Sequence, residues 1–420
     1  MTMTKEQLKE CQKYIEQLGE YGIDLAESDG YIDNEKYDEL PDEMEIEDIT
    51  LSFPDDQDYY SISPENFLEY MREINSLKKE SEIVRTDTII QVAISSARMG
   101  YTGFEDRLTS YSFAGDGINV AIVKRPFLVG VINAKEGRYE EDFGLGATEP
   151  YTAIEIRTTE KKGLAFHRKL VEQICYFLTE KLGVAVYPWE GPDIDDIYDT
   201  MDEYYEGSEE EGVSTDEESE EVKIDSLPEY TPLLKMFRQA KGIEDPEIRF
   251  LQYYKMIEFV SPVAAKLVAY EHLNKRLDLL ATVHRDYKYL DSIVSLVRKY
   301  DKDIRDDSLA LAVIENCVDP VPLYEMIPQR MRKIVKAKLK LQKDALTDGD
   351  VSEEQLRGLQ KQLAAILYAT RNSIVHAKSN YEMTGNELLE SEIEEANDMM
   401  TVIAHSIINW NQRQAEGFRV

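Results

Sequence analysis

Near the end of the chain, residues 363–381 read LAAILYATRNSIVHAKSNY, placing Arg371, Asn372 and His376 within six positions. These residue types can break a phosphodiester without a metal. Histidine titrates near neutrality, so His376 could exchange a proton with a ribose 2′-hydroxyl or with the leaving oxygen. Arginine stays charged, and the planar fork of Arg371 could hold the charge that grows on the phosphorus centre. Asn372 and His376 are four apart and share a helix face. Arg371 and His376 are five apart, about 140° around an ideal helix, so only a long side chain brings the guanidinium toward the imidazole.

The flanking residues supply the element that positions the three. Leu363, Ile366, Leu367, Thr370 and Ile374 recur at steps of three and four, predicting a helix over 352–378 with that stripe in a core. Further helices fit 247–260, 286–300, 304–318, 323–345 and 386–412, and Ser261-Pro262 predicts an N-cap that restarts a helix to about 280. Tyr254 and Glu258 are four apart on the first of these and are candidate partners behind Arg371 or His376, as is Tyr381 just past the motif. On the 323–345 helix Arg332, Lys336, Lys340 and Lys343 fall on one side; with Lys378 they are candidate contacts for an RNA backbone.

The N-terminal half has a different grammar. Apolar spacing predicts a helix from Lys5 to Leu18, and Ser63-Pro64 opens a second. Residues 87–95, 117–124, 126–134 and 151–158 are β-branched runs between Gly and Pro turns, predicting a small sheet, followed by a helix over 160–182 and a short strand at 184–187. The reading is an α+β N-terminal domain followed by an all-α bundle. It divides as a helical and acidic segment (1–80), a small α+β sensor or regulatory domain (81–189), an acidic disordered linker (190–227) and a helical domain (228–420).

Charge separates along the same lines. The chain carries 83 acidic and 48 basic residues, a net −35. About 27 basic and about 29 acidic residues lie in 229–420, so that half is near neutral and nearly all the excess lies before it. A polyanionic ligand is therefore repelled by the first half and not by the second. Three scattered cysteines, Cys11, Cys175 and Cys317, argue against a disulfide framework or zinc site, and Asp29-Gly30-Tyr31-Ile32-Asp33 lacks the outer carboxylates of a calcium loop. No metal or cofactor is expected. No apolar run is long enough to span a bilayer, so a cytoplasmic protein without a membrane partner is expected.

The RNSIVHAK segment resembles the signature of the HEPN superfamily of helical nucleotide-binding and ribonuclease domains: Arg, a polar residue, then His a few positions on. RFLQYYKMIEF and IPQRMRKIVKAKLK look like earlier helices of its branch in bacterial antiphage and abortive-infection proteins, and the resemblance covers about 230–415. It implies a homodimer whose two motifs share a cleft and cut RNA to a 2′,3′-cyclic phosphate, with His376 as acid or base, Arg371 as phosphate clamp and Asn372 orienting them. A defence or toxin effector restrained by an N-terminal domain that binds a phage or cellular trigger is the expected role. The alternative is a non-catalytic dimerisation or nucleotide-binding scaffold.

Overall fold

Three β-branched runs of the N-terminal half, 87–95, 117–124 and 151–158, pair in a register that keeps their apolar rows on common faces. The computed structural model describes residues 2–26, 43–99, 103–140, 145–149, 151–191, 222–278, 287–302, 306–344, 346–376 and 383–420. It divides into two units, Met1–Pro228 and Glu229–Val420.

In the first unit, strands β1 (Thr2–Thr4), β2 (Asp24–Leu25), β3 (Glu43–Glu45), β4 (Ile49–Ser52) and β5 (Tyr60–Ile62) accompany helices α1 (Lys5–Gly19) and α2 (Pro64–Glu73). Then come β6 (Lys78–Glu80), β7 (Ile83–Arg85), β8 (Ile89–Ser95), α3 (Phe104–Thr109), β9 (Tyr111–Gly115), β10 (Ile118–Lys124), α4 (Phe127–Glu136), β11 (Thr152–Thr158), α5 (Leu164–Leu182), β12 (Tyr187–Pro188) and β13 (Val222–Lys223). The main sheet has the order β13-β9-β10-β11-β8-β7-β6, with β12 pairing on β8. Ile122, Ile154, Val92 and Ile83 stand in register across four strands, and α5 covers that row with Leu170, Val171, Ile174 and Leu178. On the opposite face α1, α2 and α4 bury Leu8, Phe67, Met71, Phe127 and Val131 against Ile89 and Ala93.

Four expectations are corrected here. Residues 126–134 form α4, not a strand: Phe127 to Ala134 are buried all round, and a short apolar run without alternation suits a buried helix as well as a strand. Gly137, at φ 66°, ends it. Residues 1–80 are not a separate segment, because Met3, Leu8, Phe53 and Phe67 share one core with Phe127 and Tyr151. The expected linker ends early: Val222 and Lys223 pair parallel with Tyr111 and Ser112, and Ile224 is buried. The strand at 184–187 shrinks to Tyr187 and Pro188. Residues 192–221, which hold most of the acidic run, and Asp29–Asp33 lie outside the described residues.

Two features of this unit give testable consequences. Asp56 accepts from the Thr148 amide at 2.9 Å and from Arg125 at 3.0 Å, and Gly146 lies against its backbone. A Cβ on Gly146 would sit 2.8 Å from Asp56 Cα and 2.9 Å from its amide nitrogen. Gly146→Ala therefore lowers stability by about 1–3 kcal/mol through overpacking, measurable as a shift in the urea midpoint.

His167 on α5 is fully buried, and among the described residues neither ring nitrogen has a hydrogen-bond partner. Burial, and then the positive Arg85, hold its pKa below the usual imidazole range, with Glu80 opposing. The folded state thus takes up its proton at lower pH than the unfolded chain does. Stability falls as pH drops below the unfolded value of about 6.5, by up to about 1.4 kcal/mol per pH unit for one proton. His167→Leu flattens that part of the profile, checked by urea unfolding of both proteins at pH 7.5 and 5.5.

The second unit is helical throughout its described residues. It comprises α6 (Pro232–Lys241), α7 (Pro246–Asp278), α8 (Tyr287–Lys302), α9 (Asp306–Cys317), α10 (Pro320–Met326), α11 (Gln329–Leu339), α12 (Glu353–His376) and α13 (Glu390–Arg413). α7 packs on α6, α9 and α13, and α9 also packs on α12. Phe237, Phe250, Ile257, Leu363, Leu367, Met400 and Ile407 are buried in this bundle.

Two helix boundaries differ from expectation. α7 runs unbroken through Pro262. Proline has no amide for the carbonyl four residues back, here that of Glu258, and the Ser261 hydroxyl donates to that oxygen at 2.9 Å instead. The single helix expected over 323–345 is two, divided at Pro328, and the second stops at Leu339. Lys340 takes a left-handed conformation at φ 53°, and the Leu341 amide returns to the Lys336 carbonyl, closing the helix with Leu341 buried.

Candidate functional site

The stripe that faces the core sets which way the motif points. Leu359, Leu363, Ile366, Leu367 and Thr370 are buried along α12, whereas Arg371 to Ile374 are half-buried and Val375 and His376 are exposed. Thr370 anchors the returning chain, because its hydroxyl oxygen accepts the Leu388 amide at 3.0 Å. Beside it, the buried Glu387 carboxylate accepts from the Thr384 and Gly385 amides at 2.7 and 2.8 Å. Arg330 donates to the Glu387 carbonyl at 2.7 Å and pairs with Glu392. The chain from Thr384 to Leu388 is thereby tied to the turn of α12 that precedes Arg371.

Arg371 reaches across to α7. Its Nη2 lies 3.3 Å from Glu258 Oε1, and its Nη1 donates to Asn372 Oδ1 at 3.0 Å. Asn372 follows Arg371 directly, and the long arginine folds back over it. Tyr254, one turn before Glu258, is buried. His376 is the last residue of α12 and stands about 7.5 Å farther along the axis than Arg371. The structure joins Arg371, Asn372 and Glu258 and leaves His376 at an exposed helix end. Tyr381 and Lys378 lie outside the described residues.

The basic residues expected to track RNA do not form one stripe. Arg332 donates to the Glu325 carbonyl at 2.8 Å. Lys336 pairs with Asp344 at 2.5 Å and Lys343 with Asp350 at 2.6 Å, and the latter contact, with Thr347, holds the Asp350 carboxyl down to about 2. Because the helix reverses at Lys340, the residues after it leave the face shared by Arg332 and Lys336.

A second polar constellation lies in the first unit. Ser112, Ala121, Glu155 and Gln91 stand in register across β9, β10, β11 and β8. Glu155 is 5 % exposed, and its Oε2 accepts from Tyr70 at 2.5 Å and Gln91 at 2.6 Å while Oε1 accepts from Arg157 at 2.8 Å. Gln91 Oε1 in turn accepts the Leu128 and Val129 amides at the start of α4. Burial and the Glu155 carboxylate push the Tyr70 phenol up. A cleft of about 670 Å³ opens beside this network, over Ser112, Ala114, Asn119, Ala121 and Arg157, with Lys223 and Asp225 at its rim. The sequence signal for it is Glu155-Ile156-Arg157: two charges at strand spacing inside an apolar run must share one face.

Among the described residues no group of three or more His, Cys, Asp or Glu side chains could hold a metal ion, and no helix is long and apolar enough to cross a membrane. Cys11, Cys175 and Cys317 are buried and unlinked, and burial pushes the thiols of Cys11 and Cys317 up to about 12, far from nucleophilic use at neutral pH. Comparison with protein-family models, curated proteins and solved structures gives no match.

Proposed function

We propose that the second unit is a metal-independent endoribonuclease of HEPN type, acting as a homodimer in a defence or toxin role under the control of the first unit. The observation that carries this reading is Arg371, tethered by Glu258 and Asn372 at a half-exposed position one turn before an exposed His376 on the same helix. A guanidinium at this point is a permanent planar cation of the kind that grips phosphate oxygens, and His376 lies at an exposed helix end. The rotation of about 140° between the two residues favours a site completed by a second copy, with His376 and Arg371 of both chains lining one cleft.

Chemistry of this kind has a signature in its products. Incubated with RNA in EDTA, the purified protein yields fragments ending in 2′,3′-cyclic phosphate and 5′-hydroxyl; intact RNA, or cutting abolished by EDTA, would remove the proposal. The second reading, a non-catalytic scaffold, draws on the same half-exposed helix end. Under it the dimer and the cellular effect survive Arg371→Ala while RNA is never cut. The cleft beside Glu155 and Arg157 is the place in the first unit where a trigger would act.

A further inference from the structure

The guanidinium that would clamp RNA is already engaged. Among the described residues its partners are the Glu258 carboxylate at 3.3 Å and the Asn372 amide oxygen at 3.0 Å. Asn372 offers a neutral acceptor from the adjacent position. Glu258 offers a full negative charge from another helix. The Arg371 and Glu258 side chains are 31 % and 49 % exposed, so the pair is solvent-screened and weak. It is strong enough to occupy the arginine and weak enough to be replaced.

Glu258 also sits at the one place in α7 where proline interrupts the amide ladder. Its own carbonyl is bound by the Ser261 hydroxyl because Pro262 has no N–H to give. A serine hydroxyl can rotate to follow a carbonyl, so this turn tolerates a small displacement of Glu258 better than an unbroken ladder does.

Resting on the ribonuclease reading, we infer that Glu258 is a built-in competitor of the RNA phosphate: it neutralises Arg371 in the free protein, and substrate must displace it to be clamped. The exchange is balanced in charge. The Arg371–Glu258 pair opens, an Arg371–phosphate pair forms, and Glu258 turns to solvent with a counter-cation. That uptake cancels part of the counterion release that normally drives binding to nucleic acid. The alternative role for Glu258, positioning Arg371 for the chemical step, predicts opposite changes.

The test measures RNA binding apart from cutting. Single-stranded RNA is titrated onto His376→Ala and onto His376→Ala with Glu258→Gln, in EDTA, at several salt concentrations, with circular dichroism checking that both fold. Glutamine keeps the size and an acceptor oxygen and removes the charge. Competition predicts that Glu258→Gln tightens binding about two- to fivefold at low salt. It also predicts that the slope of log affinity against log salt steepens by up to about 0.7, the increment for one single-strand phosphate contact. Unchanged or weaker binding with an unchanged slope overturns the inference. Tighter, steeper binding by a protein that never cuts RNA upholds the inference and overturns only the nuclease reading. A fall in kcat for Glu258→Gln in the His376 protein, with RNA affinity unaltered, assigns Glu258 to positioning and also overturns it.

Discussion

If the proposed ribonuclease chemistry holds, His376→Ala is expected to abolish detectable RNA cutting in EDTA, lowering the rate by about 10²- to 10⁴-fold, the contribution of a general acid or base. The substitution falls on an exposed helix end outside the buried stripe of α12, so thermal unfolding of the two proteins coincides. Loss of activity without loss of stability separates chemistry from folding, which a core substitution on the same helix could not do. Arg371→Ala is less clean. It removes the clamp and leaves Glu258 with an unbalanced charge, although at 49 % side-chain exposure water takes up most of that cost. Equal RNA profiles for the native protein and His376→Ala, at matched concentrations, would end the catalytic claim.

Glu155→Ala has the largest expected effect on stability. It strips a buried carboxylate from Tyr70, Gln91 and Arg157 at once, leaving an arginine charge and two polar groups without their acceptor. Breaking a buried ion pair from one side costs about 3–5 kcal/mol. Arg157 retains Glu69 at its Nη1, a contact open to solvent, which places the loss toward the lower end. Urea unfolding of the isolated transition of the first unit, with the second unit's transition as internal reference, reads the change directly. A shift of both transitions together would mean that the units unfold as one. Glu155→Gln, which keeps the shape and one acceptor, costs less than the alanine.

The helical grammar of the second unit is legible because its stripes are long: Leu363, Ile366, Leu367 and Ile374, with Thr370 among them, leave little choice of face on α12. Proline was read too literally at 262 and too lightly at 328. At Pro262 a serine one residue earlier supplies the missing donor, and that compensation depends on a side-chain rotamer that no spacing reveals. At Pro328 the helix divides, and the expected basic stripe is lost farther on, where the second helix ends at Lys340. In the first unit α4 was misread as a strand because both of its faces meet core, which erases the periodicity that distinguishes the two. The partnership of Arg371 with Glu258 was foreshadowed by the position of a glutamate beside an apolar stripe. The convergence of Tyr70, Gln91, Glu155 and Arg157 was not, since it joins a helix and two strands from positions up to 87 residues apart.

The pairing of β13 with β9 changes what kind of insertion the acidic stretch is. Trp189 is bound to Ala93 before it and Val222 to Ser110 after it, so the described chain on both sides of the stretch is held by the first unit, ahead of the boundary at Pro228. Its length therefore enters the energetics as the closure of a loop within one fold. The entropy of closing a connection between two fixed points varies as the logarithm of its length, so a twofold change in length alters the cost of folding the first unit by only about 0.6 kcal/mol. Length and charge in residues 192–221 can therefore change at little expense to the sheet.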